Sequence, residues 1–171
     1  MSVLWIVGET GVSNMDSVVN QRSPDTAFKG RMIRVAVVVT VLATAHFVDH
    51  VIRGRLVLSR GLDPAWDHSG WPFEGRFSPF TVSLVVVYGL LLTGIALTRR
   101  GRLWAGYWLV TAVVLGGIVT FVHFLGSRAE TPAVILASYD NPAAGVPAVF
   151  ITFAILLSLV VMAFTAIDDM A

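Results

Sequence analysis

Hydrophobic residues occur in four long runs separated by short polar segments. The runs cover residues 35–52, 79–97, 103–125 and 145–167. Each approaches or exceeds the roughly 20 residues that a helix needs to cross about 30 Å of hydrocarbon. The valine-rich start of the first run is typical of a strand in water, but an isolated strand in lipid would leave its backbone groups unpaired. The pattern therefore predicts four transmembrane helices.

The connections between these runs predict the topology. Only the short TRRGR segment joins the second run to the third, which favours an all-α membrane protein with an antiparallel four-helix transmembrane bundle. Arginine and lysine are enriched in cytoplasmic loops, so this link and the basic segment before the first run are predicted to be cytoplasmic. Both the N- and C-termini then lie in the cytoplasm, and the connections 54–78 and 126–144 lie outside.

The regions outside the four runs are predicted as follows. Residues 1–30 have neither apolar periodicity nor the charged start and cleavage site of a signal peptide, which predicts a flexible cytoplasmic N-terminal arm. Residues 31–171 form the transmembrane domain. The TPAVILASYDNP segment in the second outer connection is predicted to contain a short surface helix.

Composition supports a membrane location and argues against several kinds of partner and site. Hydrophobic residues make up 56% of the chain and charged residues 13%, with a mean hydropathy of +0.76. A soluble domain of 171 residues could not bury that much apolar surface. We therefore expect a multi-pass protein of the plasma membrane, with the lipid bilayer as its surroundings. A net charge of +1 without a basic stripe argues against nucleic acid as a partner, and the lack of cysteine excludes thiolate metal sites.

A polar cluster interrupts the end of the first hydrophobic run. His46 and His50 are four residues apart and share one helix face. Asp49 and Arg53 are also four residues apart and lie on the same stripe. Exposing such a stripe to lipid would cost several kcal/mol, so we expect it to face the bundle interior or a water-filled pocket.

The remaining histidines are predicted to lie on the same outer side of the membrane. His123 falls near the outer end of the third run, and His68 lies in the first outer connection. The predicted pocket is therefore closed by His123 and covered by the WDHSGWPFEG loop at 66–75. In this loop His68, Asp67 and Trp71 would support the site.

The cluster suggests a metal or a redox cofactor that serves electron transfer or oxidation. Histidines four residues apart on a helix bind zinc, copper or iron in many proteins. The predicted metal ligands are His46, Asp49, His50 and His123. In this interpretation Asp49 either binds the metal or orients an imidazole. Alternatively, His123 and one histidine of the first run would be the axial ligands of a haem, with Gly116 and Gly117 giving it room.

Metal-free interpretations remain open beside these. Asp49 and Arg53 could form an ion pair that anchors the helix end, or the cluster could hold a quinone or lipid head group. The protein would then be an accessory subunit of a larger membrane complex. Glycines along the runs favour close helix packing within the bundle or in a homo-oligomer; they are Gly89, Gly94, Gly106, Gly116 and Gly117. The chain contains no P-loop, dinucleotide-binding or GxSxG motif, so it indicates no reaction.

Four segments carry a family resemblance: HFVDHVIRG, WDHSGWPFEG, SPFTVSL and GYWLVTAVVLG. Together they resemble small four-span membrane proteins of uncharacterised function from halophilic archaea and other high-GC prokaryotes. The likeness extends from Arg34 to Ile167. The resemblance implies the four-span architecture. It implies no site residues and no activity for this chain.

Overall fold

The structure, a computed structural model, describes residues 24–61, 79–125 and 130–171. The described residues are almost entirely helical and contain no strand. The helices are α1 (Pro24–Ser59), α2 (Pro79–Arg99), α3 (Ala105–Phe124), α4 (Pro132–Ala137) and α5 (Pro142–Met170). All of them except α4 are long and apolar enough to cross a membrane. The all-α fold with four candidate membrane spans is thus confirmed, as is the short helix between the third and fourth spans.

Helix α1 is much longer than the hydrophobic run that predicted it. It begins at Pro24 and ends at Ser59, whereas the run covers 35–52. Hydropathy detects only the apolar segment of a helix that fits the hydrocarbon core of a membrane. The helical backbone hydrogen bonds extend beyond this segment at both ends. Phe28 and Met32 are buried against the other helices. The helix therefore starts inside the segment 1–30 that was predicted as a flexible arm.

The four long helices form a bundle with a defined neighbour order. Helix α1 packs against α2 and α5, and α3 packs against the same two helices. Helices α1 and α3 make little direct backbone contact and occupy opposite corners. The buried core lies between them and includes Met32, Leu91, Trp108 and Met162. Large apolar side chains cover the outside, including Val85, Val113, Phe150 and Leu157, as expected for helices that face lipid.

At Gly94, helix α2 packs closely against the aromatic side chains of α3. A Cβ atom at this position would lie 2.6 Å from the Trp108 ring, so the indole occupies the space beside the glycine. Trp108 Nε1 donates a hydrogen bond to Thr98 Oγ1 at 3.0 Å. No atom from another part of the described chain lies within 4 Å of a Cβ placed on Gly89, Gly116 or Gly117. A Cβ on Gly106 would make only an ordinary contact with Trp104, at 3.6 Å. Within the bundle, Gly94 therefore has the predicted close-packing role and the other four do not, while packing in a homo-oligomer stays a prediction.

Contacts along the helices define two ends of the bundle. Phe47 packs on Phe80 near the start of α2, with ring centroids 5.5 Å apart. Lys29, near the start of α1, reaches within 3.5 Å of a Cβ placed on Gly101 in the α2–α3 link. One end of the bundle contains the last turns of α1 and α3, the whole of α4 and the start of α5. We call it the histidine end. The opposite end, which contains the α2–α3 link at 99–104, is the arginine end.

Candidate metal centre

Three buried histidines from two helices meet at the histidine end. His46 and His50 lie one turn apart on α1, and His123 is the second-last residue of α3. They are 7%, 3% and 1% exposed. Nε2 of His46 lies 2.8 Å from Nε2 of His50 and 3.2 Å from Nε2 of His123. Although α1 and α3 occupy opposite corners, their imidazoles meet across the interior of the bundle, and we call these residues the histidine triad.

Neighbouring groups determine which ring nitrogens carry protons. His123 Nδ1 lies 3.0 Å from the backbone oxygen of Glu130. This oxygen only accepts, so Nδ1 donates and Nε2 of the neutral ring keeps a lone pair. Arg53 Nη2, which only donates, lies 3.2 Å from His50 Nδ1. His50 then carries its proton on Nε2 and donates it to His46 Nε2. The lone pair of His46 Nε2 thus holds the His50 proton, and the Nε2 lone pair of His123 lies 3.2 Å away. A cation that displaced this proton would meet three nitrogen lone pairs.

The nitrogen separations are close to those around one metal ion. Zinc binds imidazole nitrogen at about 2.0–2.1 Å in tetrahedral geometry, which places neighbouring ligand nitrogens about 3.3 Å apart. The separations of 2.8 and 3.2 Å in the triad are close to this value. The candidate ligand atoms of all three histidines lie within 4.8 Å of one another. Small movements of the rings would place the three Nε2 atoms around a shared ion.

A buried network of charged side chains lies beside the triad. Arg53 Nε donates to Asp49 Oδ2 at 2.6 Å, and Arg53 Nη2 donates to Glu130 Oε2 at 3.1 Å. Tyr139, between α4 and α5, donates its hydroxyl proton to Asp49 Oδ1. Asp49, Arg53 and Glu130 are each no more than 8% exposed, and buried charges of this kind require such pairing. With two carboxylates and one guanidinium, the network carries a formal charge of −1, which favours a cation nearby.

The Tyr139 hydroxyl remains a proton donor in this network. Burial raises the pKa of Tyr139 above its ordinary value, and the hydrogen bond and negative charge of Asp49 raise this pKa further. The phenol is therefore neutral over the physiological pH range. It keeps one oxygen of Asp49 occupied while Arg53 occupies the other.

The predicted site residues divide into three groups. The structure brings His46, His50 and His123 together. The Asp49 carboxylate is held by Arg53 and Tyr139 and is not part of the group of candidate metal ligands. The predicted supporting residues and the loop 66–75 lie outside the described residues; the former are Asp67, His68 and Trp71.

Glu130 and Tyr139 are site residues that the sequence reasoning missed. They lie 77 residues from Arg53 and 90 residues from Asp49, respectively, along the chain. No local spacing rule connects positions this far apart. One signal was present, because a buried guanidinium has five N–H donors and Asp49 alone cannot satisfy them. A second carboxylate near the end of a neighbouring helix was therefore to be expected.

A small cavity adjoins the triad. Its volume is about 110 Å³, and its lining consists of the three histidines, Ser83 and six apolar side chains from α1, α2 and α3. Drug-sized ligands occupy pockets of about 300–1,000 Å³, and a porphyrin would need comparable room. Two axial histidines also lie on opposite faces of a haem, whereas His46 and His123 are in direct contact. The geometry thus fits a single ion better than a haem.

Comparisons with known proteins do not identify a relative of this chain. No protein-family model, no curated protein and no solved structure matches it. The resemblance to small four-span proteins remains a prediction from the sequence. The function has to be argued from the chemistry of the histidine end.

Proposed function

We propose that this integral membrane protein binds one transition-metal ion, zinc, copper or iron, through Nε2 of His46, His50 and His123. The observation that carries the proposal is the convergence of these three buried nitrogens on one point. A donor set of imidazoles without thiolates suits zinc, copper and iron. Three protein ligands also leave one position open, as in catalytic zinc sites. We further propose that the site serves electron transfer or oxidation near the outer face of the membrane.

The surroundings of the triad support metal binding. A histidine that binds a metal almost always donates its other ring N–H to a carboxylate, a backbone carbonyl or water. His123 already donates Nδ1–H to the Glu130 carbonyl. His50 Nδ1 lies 3.5 Å from Glu130 Oε2. On metal binding the ring would carry its proton on Nδ1 instead of Nε2, so Nδ1 would give up the hydrogen bond that it accepts from Arg53 and donate to this carboxylate. Glu130 would then orient two ligands, and Asp49 would act through Arg53 instead of binding the ion.

The environment of the open position favours redox chemistry over hydrolysis. Hydrolysis at a metal requires a bound water and a polar substrate. The cavity beside the triad is instead lined mainly by phenylalanine, valine and isoleucine side chains. Copper or iron in such surroundings would exchange electrons or bind a small oxidant. Zinc would leave the site without redox function, so the identity of the ion decides this part of the proposal.

A metal-free role is the second candidate, and the hydrogen bonds favour it in one respect. The 2.8 Å contact between His46 and His50 is a complete hydrogen bond without any ion. Arg53 also connects α1 to the segment that precedes α4 through Glu130. In this alternative the polar cluster holds the outer connection to the bundle, or binds a quinone or lipid head group, in an accessory subunit.

Metal content per chain tests the two candidates. The detergent-purified protein would be stripped with a chelator, reloaded with zinc, copper or anaerobic ferrous iron, and analysed by mass spectrometry. We expect nearly one ion per chain in the wild type and background content in His46→Ala and His123→Ala. The control Phe124→Ala changes the neighbouring, partly exposed side chain and should retain the ion. Background content in the wild type, or equal content in all variants, would support the metal-free role.

A further inference from the structure

The cavity beside the triad has a strongly asymmetric chemical environment. At one side it is lined by the three histidines, and elsewhere by apolar side chains and Ser83. The apolar lining consists of Phe47, Phe80, Val87, Ile118, Val119 and Val122. No charged residue of the described chain lines this space. A ligand in the cavity would therefore touch imidazoles and hydrocarbon.

The charged groups of the site lie away from this cavity. Arg53 and the Glu130 carboxylate contact His50 at Nδ1, the ring nitrogen that does not face the triad. Glu130 also accepts the Nδ1 proton of His123 through its backbone oxygen. Among the described residues, no carboxylate joins the group of three candidate metal ligands. The cavity is thus the space that remains for a fourth ligand of an ion held by the triad.

The cavity is partly open, and the space beside the imidazoles suits a small molecule as this fourth ligand. An apolar cavity of about 150 Å³ in another protein stays dry and binds benzene or xenon. The cavity here is smaller, about 110 Å³. We infer that it admits an uncharged molecule of two or three atoms, of the class of dioxygen and nitric oxide, to the open position of the metal ion. The access of this molecule to the ion rests on the proposed function. The binding of small apolar molecules in the cavity is independent of that function.

Xenon binding to the metal-free protein tests the cavity by itself. The probe is the ¹²⁹Xe chemical shift during a xenon titration of the protein in detergent. We expect a saturable shift in the wild type that is lost in Val119→Phe, where the larger ring fills the cavity. The control Val113→Phe lies on the same helix at a 64% exposed position and should behave as the wild type. Val122→Leu provides a second, milder filling that should weaken xenon binding several-fold and keeps the test independent of the folding of Val119→Phe. A wild-type shift that does not saturate, or that persists in both filled variants, would overturn the inference.

Nitric oxide then tests access to the ion. Under anaerobic conditions the ferrous-loaded protein is exposed to nitric oxide, and the electron paramagnetic resonance signal of the iron–nitrosyl complex is recorded. We expect this signal in the wild type and Val113→Phe, and at least a tenfold weaker signal in Val119→Phe at equal bound iron. Bound iron with no signal, or with equal signals in all variants, would overturn the inference and leave the metal site intact. Saturable xenon binding without any iron uptake would overturn the metal site and leave the small-molecule cavity.

Discussion

At the scale of single residues, Glu130 holds the histidine end together through three different groups. Its backbone N–H donates to the Val122 carbonyl at 2.8 Å, and its own carbonyl accepts from His123 Nδ1. Its carboxylate accepts from Arg53. Since two of these contacts use the backbone, a side-chain substitution removes only the contacts of the carboxylate. The role of the negative charge can therefore be separated from the role of the backbone.

Glu130→Gln is expected to weaken metal binding without abolishing it. The amide keeps the size of the side chain but removes the charge that faces Arg53 and His50 Nδ1. Substitution of groups that orient metal ligands typically lowers affinity about 10–100-fold. Competition with a chelator of known affinity measures the change, and Asp140→Asn provides a control because this acidic residue is exposed. Unchanged affinity in Glu130→Gln would show that the carboxylate has no part in the site.

The raised pKa of Tyr139 predicts a loss of stability at alkaline pH. The native protein keeps the phenol protonated at pH values where the unfolded chain ionises. The stabilisation from this group is therefore fully present below about pH 10, the ordinary tyrosine pKa, and is lost as the pH rises towards the raised value.

Tyr139→Phe lacks the hydrogen bond to Asp49 and cannot ionise. Thermal melting from pH 7 to 11 should show the wild type above the variant at neutral pH, with a difference that shrinks above pH 10. A constant difference would contradict this assignment.

At the scale of helices, the contact between α2 and α3 depends on Gly94. An added methyl group would collide with the Trp108 ring, whose indole also donates to Thr98. Overpacking of this kind costs about 1–3 kcal/mol, so we expect Gly94→Ala to lower the melting temperature. Gly89→Ala, on the same helix, meets no atom within 4 Å and should leave the stability equal or slightly higher. Equal melting temperatures for the two variants would show that α2 and α3 separate easily.

The helices also show how much of the site could be predicted from the sequence. The spacing of His46, His50 and Arg53 placed them on one face because helix geometry is local and periodic. His123 was placed at the same end by its position in the third run. His123 was predicted as a ligand beside His46 and His50, but periodicity does not state which helices are neighbours, so the route by which α1 and α3 meet was not predictable. The contact arises since imidazoles are long enough to reach across the interior from opposite corners of the bundle.

At the scale of the whole molecule, the two ends differ in how closely their arginines are spaced. Arg53 at the histidine end is buried and paired with two carboxylates, so it does not act as a free loop charge. At the arginine end, Arg99, Arg100 and Arg102 crowd a short link, and exposed side chains dominate there. Positive charge in short loops opposes transfer across the membrane. Arg55 and Arg60 at the histidine end are exposed as well, so the predicted orientation rests on the close spacing of the arginines in the short link.

Labelling of single cysteines tests the predicted orientation, with the arginine end in the cytoplasm. The natural chain has no cysteine, so each introduced thiol reports one position. Asp140→Cys lies at the histidine end beside Tyr139, and Ala171→Cys follows α5, whose 29 residues span about 43 Å from the histidine end. A membrane-impermeant maleimide applied to intact cells should label Asp140→Cys, and should label Ala171→Cys only after permeabilisation. The reverse pattern would place the triad at the cytoplasmic face. The proposed metal ion would then exchange electrons with cytoplasmic partners instead of partners outside the cell.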